Sequence, residues 1–113
     1  MASTQDLSNY EFVAVIEAAE IQSGERLVIE VDEIPIAVFN VSGQYYAIGD
    51  VCTHDDGPLA DGELIGFQIV CPRHGARFDI RSGKALILPA FVDTPWYPVR
   101  VADGWIEIGL PLE

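Results

Sequence analysis

The chain is poor in the residues that most often carry chemistry or bind polyanions, with two cysteines, two histidines and six basic residues among 113. Six bases against eighteen acids leave a net charge of −12. Nucleic acid and anionic membrane are therefore poor partners, since both need clustered Lys and Arg. Two cysteines are too few for a disulfide framework, and in a reducing compartment a widely spaced pair is metal-binding, catalytic or simply unpaired. No apolar run approaches the ~18 residues of a membrane span. Met1 to Asp6 has no positive charge ahead of an apolar stretch, so no secretory signal is read there, and the expectation is a soluble, cytoplasmic protein. Helical pattern is scarce too: Glu17-Ala18-Ala19-Glu20 supports no more than a turn before Ser23-Gly24.

What is present is alternation. Short apolar runs at Phe12 to Ile16, Leu27 to Val31, Ile34 to Phe39, Tyr45 to Ile48, Phe67 to Val70 and Val99 to Val101 read as strands. Ser42-Gly43 and Asp103-Gly104 fall between such runs as hairpin turns. From Ala76 to Arg81 the alternation sets Ala76, Phe78 and Ile80 on one face and Arg77, Asp79 and Arg81 on the other. The fold class is all-β, in one domain spanning 1–113, a length that allows one compact core. Two stretches break the strand pattern: about 50–66, loop-like by content, and about 86–98, where Pro89, Pro95 and Pro98 exclude a central strand.

All four cysteines and histidines fall into two short signatures, Cys52-Thr53-His54 and Cys71-Pro72-Arg73-His74, with 16 residues between His54 and Cys71. A cysteine and a histidine two or three positions apart reach one centre from a single loop, and two such loops supply four ligands of mixed sulfur and nitrogen type. Gly57-Pro58, Pro72 and Gly75 suit backbone that bends tightly around such a centre. A Cys52–Cys71 disulfide uses only half of this coincidence and needs an oxidising compartment. A structural zinc takes the same ligands, although common zinc spacings pair like with like. A cysteine nucleophile with a histidine base leaves a second pair idle. On spacing alone these readings stand beside a metal or cluster centre.

Cys52-Thr53-His54 followed by Cys71-Pro72-Arg73-His74-Gly75 resembles the ligand pattern of Rieske 2Fe-2S proteins, including its spacing. The likeness extends through Gly83, Leu88-Pro89-Ala90 and Tyr97 to Ile108, more loosely before Tyr45. It implies one Rieske cluster per chain, with Cys52 and Cys71 on one iron and His54 and His74 on the other. It also implies antiparallel sheets with a small cluster-binding subdomain built from two loops, about 50–66 and 71–76. The proline segment of about 86–98 is then a third loop covering the cluster, although Pro89 suits an ordinary turn equally well.

The same resemblance bears on redox potential. High-potential members of the family supply a serine hydroxyl, a tyrosine hydroxyl and an extra cysteine pair near the cluster; the matching positions here are Ala76, Phe78, Gly57 and Arg73. Thirteen of the eighteen acids precede Gln68, with Asp50, Asp55, Asp56, Asp61 and Glu63 around the first ligand loop. Missing donors and surrounding negative charge both disfavour adding an electron. The expectation is a soluble, low-potential one-electron carrier like the ferredoxin components of aromatic ring-hydroxylating dioxygenase systems, not itself an enzyme. It would take electrons from a flavin-dependent reductase and pass them to a terminal oxygenase. Permanent association as the small subunit of a larger oxidoreductase, such as a nitrite reductase, and a zinc-binding interaction module are the competing accounts. Charge of −12 favours a monomer. Arg73, Arg77, Arg81 and Lys84 crowd the stretch after the second ligand loop; this suits electrostatic docking, and equally an alternating solvated strand face.

Overall fold

From Ile34 to Val41 the chain is apolar at every position but Asn40. Such a strand has no polar face to turn toward water and must be covered on both sides. The structure is a computed structural model and describes residues 9–51, 58–72, 75–88 and 92–112. In it β3 (Ile34–Val41) lies inside a four-stranded antiparallel sheet with β2 (Arg26–Val31), β4 (Gln44–Gly49) and β9 (Trp96–Tyr97), in the order β2-β3-β4-β9. A second sheet joins β1 (Tyr10–Glu17), β11 (Trp105–Pro111) and β10 (Val99–Ala102), in that order. The third runs β5 (Leu64–Ile65), β6 (Gln68–Val70), β7 (Arg77–Asp79) and β8 (Ala85–Ile87).

Alternation along β3 divides the apolar interior in two. Ile36 and Val38 pack with Ala47, Tyr97, Ile106 and Ile108, between the four-stranded middle sheet and the β1-β11-β10 sheet. Ala37 and Phe39 join Ile48, Leu59, Ile69, Cys71, Phe78 and Ile80, between the middle sheet and the third. Every sheet pairing is antiparallel, and a 3-10 turn at Ala18–Glu20 stands where the sequence predicts a turn. The predicted face of Ala76, Phe78 and Ile80 is wholly buried.

Two predicted irregular stretches contain short strands. Leu64–Ile65 is β5, paired with β6 across Gly66-Phe67, so Phe67 belongs to a turn instead of the strand the sequence assigns it to. Within 86–98, residues 86–87 belong to β8 and residues 96–97 form β9. Both β8 and β9 are sheet edges, which is where proline-rich sequence can still pair.

Ser42-Gly43 and Asp103-Gly104 are two-residue hairpin turns with φ positive at both positions (54° and 87°, 53° and 80°), the type I′ geometry that Gly favours. Asp32-Glu33 turns the same way, at 52° and 68°, with no glycine to announce it. Asp tolerates this left-handed region, whereas Glu loses roughly 1–2 kcal/mol there, part of which glycine gives back as extra freedom in the unfolded chain. Glu33→Gly is therefore expected to stabilise the fold by about 0.5–1 kcal/mol, read as a higher urea midpoint; an unchanged or lower midpoint contradicts this strain.

Candidate metal centre

The second signature occupies the connection between β6 and β7. Cys71 N–H donates to the Ala76 carbonyl (2.7 Å), and Gly75 N–H donates back to the Cys71 carbonyl (3.0 Å). Gly75 has φ +78°, a conformation that glycine adopts without steric cost. These two bonds close the loop at its base and leave the Cys71 side chain 1% exposed, in one apolar cluster with Leu59, Ala60, Ile69, Ala76 and Phe78. Of the four predicted ligands, Cys71 is placed. Cys52, His54 and His74 lie outside the described residues, as do Asp55, Asp56, Gly57, Arg73, Pro89 and Ala90.

The chain on either side of the first signature is fixed to that same base. Asp50 is buried, and one of its carboxylate oxygens accepts from Leu59 N–H (2.8 Å) and Ala60 N–H (2.7 Å). Residue 50 is thereby tied to residues 59 and 60, and Leu59 and Ala60 sit in the apolar cluster that contains Cys71. Just beyond, Val70 N–H donates to the Glu63 carbonyl (2.9 Å). Gly62 lies so near Val70 that a Cβ there would stand 1.7 Å from the Val70 carbonyl oxygen. Arg26, from β2, donates through one guanidinium nitrogen to the Ala60 carbonyl (3.0 Å) and the Gly62 carbonyl, its guanidinium carbon 6.0 Å from the centre of the Phe39 ring.

The proline segment is anchored beside them. Thr94 N–H donates to the Gly83 carbonyl (2.8 Å) and Gly49 N–H to the Pro95 carbonyl (2.8 Å), while Asp93 accepts from Ala85 N–H (2.9 Å). Gly49 immediately precedes Asp50, so the third segment returns next to the start of the first. The three segments that the sequence singles out therefore share one base.

Charge around this base is arranged locally. Arg81 grips Asp79 through Nε (3.0 Å) and Nη2 (2.8 Å), and its guanidinium lies 4.3 Å from the Phe67 ring centre. Phe67 in turn meets Tyr46 edge to face, so Tyr46 packs beneath this region. The Arg81 hydrogen bonds hold the Asp79 carboxyl below its ordinary pKa. That interaction stabilises the fold above the ordinary carboxylate pKa and is lost as pH falls through the lowered folded value, an effect weakened by solvent screening. Arg77 donates to Gln68 (3.3 Å). Within the basic stretch, Arg81 is thus committed to its neighbours, which favours the solvated-face account over docking for this residue.

The donor chemistry fits an iron–sulfur centre. A thiol buried on a closed hairpin loop shares its core with the flanks of the segment that carries Cys52 and His54, and two cysteines with two histidines are the Rieske donor set. In the sequence Asp50 stands only among the acids around the first loop, and nothing there marks it as the group that ties residue 50 to Leu59 and Ala60. Arg26 and Gly62 carry no local signal: Arg26 acts 34 and 36 residues away, and Gly62 is required by its closeness to Val70 on β6.

Residues 11–98 match the family model for the Rieske [2Fe-2S] domain. The chain is 44% identical over 94 residues to the 3-phenylpropionate/cinnamic acid dioxygenase ferredoxin subunit of Escherichia coli (strain K12), covering 82% of this chain and 88% of that one. Among solved structures it is similar to a Sphingomonas yanoikuyae B1 ferredoxin (TM-score 0.81, 33% identity, 89% of this chain and 100% of that one). It is also similar to a chain from the complex of reduced oxygenase and oxidized ferredoxin in carbazole 1,9a-dioxygenase (TM-score 0.81, 31% identity, 90% and 95% covered).

Proposed function

The chain belongs to the Rieske [2Fe-2S] domain family, and from that premise we propose that Cys52 and Cys71 hold one iron of its cluster while His54 and His74 hold the other. It is a ferredoxin, an electron carrier with a Rieske 2Fe-2S cluster, and not a catalyst of bond chemistry. The cluster supplies reversible one-electron chemistry when bound. The protein's own residues hold the ligand loops together, shield the Cys71 thiol and set the local charge. The ligand assignment rests above all on one observation: Cys71 shares an apolar cluster with Leu59 and Ala60, to which Asp50, on the other side of the first signature, is hydrogen-bonded.

On this reading the carrier accepts electrons from a flavin-dependent reductase and delivers them to a terminal oxygenase of a ring-hydroxylating system, working as a cytoplasmic monomer. Among the described residues no helix is long and apolar enough to cross a membrane. Leu86, Ile87 and Leu88 are 39, 46 and 65% exposed, at the start of the third segment, where the edge strand β8 ends. An apolar rim at that place suits transient docking of a larger protein. Stopped-flow mixing with a ring-hydroxylating oxygenase should show reoxidation of the reduced chain, and a flavin-dependent reductase should re-reduce it. Failure of both exchanges contradicts the carrier role in such a system.

The potential is expected near the lower end of the roughly −150 to +300 mV Rieske range. Ala76 and Phe78 are both fully buried and bring no hydroxyl to the two positions where high-potential relatives have one. Protein-film voltammetry placing the midpoint above about +100 mV on this scale would contradict the account.

A further inference from the structure

Arg26 is far from either signature in sequence and stands on β2, an edge strand of the middle sheet. Its guanidinium nonetheless reaches into the third sheet's territory, bonding the Ala60 and Gly62 carbonyls on the descending arm of the first ligand segment. Those two carbonyls belong to the stretch where the two ligand loops are pressed together. Ala60 N–H is held by Asp50, Gly62 lies against the Val70 carbonyl with no room for a side chain, and Val70 immediately precedes Cys71. Ala60, Phe39 and Cys71 share one buried cluster, and the Arg26 guanidinium carbon lies over the Phe39 ring, 6.0 Å from its centre.

Building on the ligand assignment proposed above, we infer that Arg26 is a positioning residue for the cluster, clamping the arm of one ligand loop against the base of the other. A guanidinium suits this task because its planar donors hold two backbone acceptors at fixed geometry, whereas a flexible ammonium holds them less rigidly. Without the clamp, Ala60 and Gly62 lose a charge-assisted donor, and the arm is free to shift relative to Val70 and Cys71. Residues that orient metal ligands without touching the metal change metal retention about 10- to 100-fold when removed.

Arg26→Met keeps much of the stem against Phe39 and removes the donors. In the cluster-loaded protein it should release iron to a chelator about 10-fold faster than wild type, with a broadened reduced EPR signal and a displaced midpoint. Arg26→Lys should restore part of each change. An Ile106 truncation (Ile106→Val or Ile106→Ala), matched to Arg26→Met in melting temperature, weakens the opposite core and should leave the EPR signal and midpoint unchanged. Wild-type release and an unaltered signal in Arg26→Met overturn the inference, as does an Ile106 variant that shifts the signal equally. A wild-type protein without the Rieske signal overturns the ligand assignment itself, and the clamp with it.

Discussion

Replacing Cys71 with alanine is expected to remove the cluster: iron falls from about two per chain to background and the visible colour disappears. Two effects of this substitution differ greatly in size. Losing a sulfur atom from a buried site leaves a small cavity, which costs about 1 kcal/mol of packing. Losing one of four ligands removes the binding free energy that couples the cluster to the folded state, and that is the larger quantity. The variant should therefore melt well below the loaded wild type but close to wild-type apoprotein. The core around Ile36, Val38, Ile106 and Ile108 does not involve Cys71, so the far-ultraviolet signature of the sheets should persist. Iron measurement on purified variant decides it. A Cys71→Ala protein that keeps two irons and its colour contradicts the assignment of Cys71 as a ligand.

Gly83→Ala is expected to be strongly destabilising, because two separate penalties meet at this position. Gly83 has φ +74°, which costs a residue with a Cβ roughly 1–2 kcal/mol. The new Cβ would also stand 2.0 Å from the Thr94 carbonyl oxygen, a distance no flexible side chain can relieve because the obstacle is backbone. Thr94 must move, and its N–H bond to the Gly83 carbonyl is strained or lost; a buried donor left without its partner costs about 1–3 kcal/mol more. The sum, on the order of 2–5 kcal/mol, is a large share of a typical domain's stability. Gly66→Ala is the matched comparison, since Gly66 has φ +62° with open space around it; about 1–2 kcal/mol is expected there. Chemical unfolding of both variants measures the difference. Equal losses at the two positions would show that the Thr94 contact carries no weight.

The sequence is most legible where physics acts locally. Period-2 alternation announces the Ala76–Ile80 face, and Ser-Gly and Asp-Gly announce two of the type I′ turns. The continuous apolar run of Ile34 to Phe39 marks the strand shared by both cores. Legibility fails where a partner distant in sequence decides. β5 is two residues long, β8 three and β9 two, too short for any pattern, and they exist because neighbouring strands offer them an edge. The Asp32-Glu33 turn hides because it uses an acid where glycine is usual. At the candidate centre the cysteine and histidine spacing is visible in the chain alone, because the chemistry fixes which residue types can serve. Its support is not: Asp50, Gly62 and Arg26 matter through backbone groups 8 to 36 residues away, and a carbonyl leaves no trace in the amino-acid code.

Low-temperature EPR of the anaerobically purified protein before and after dithionite, with iron and zinc counted on the same sample, bears most directly on the central claim. A Rieske centre in this chain is expected to be silent when oxidised and to give a rhombic signal of low average g when reduced, with about two irons per chain. Zinc in place of iron, with no signal in either state, would contradict it.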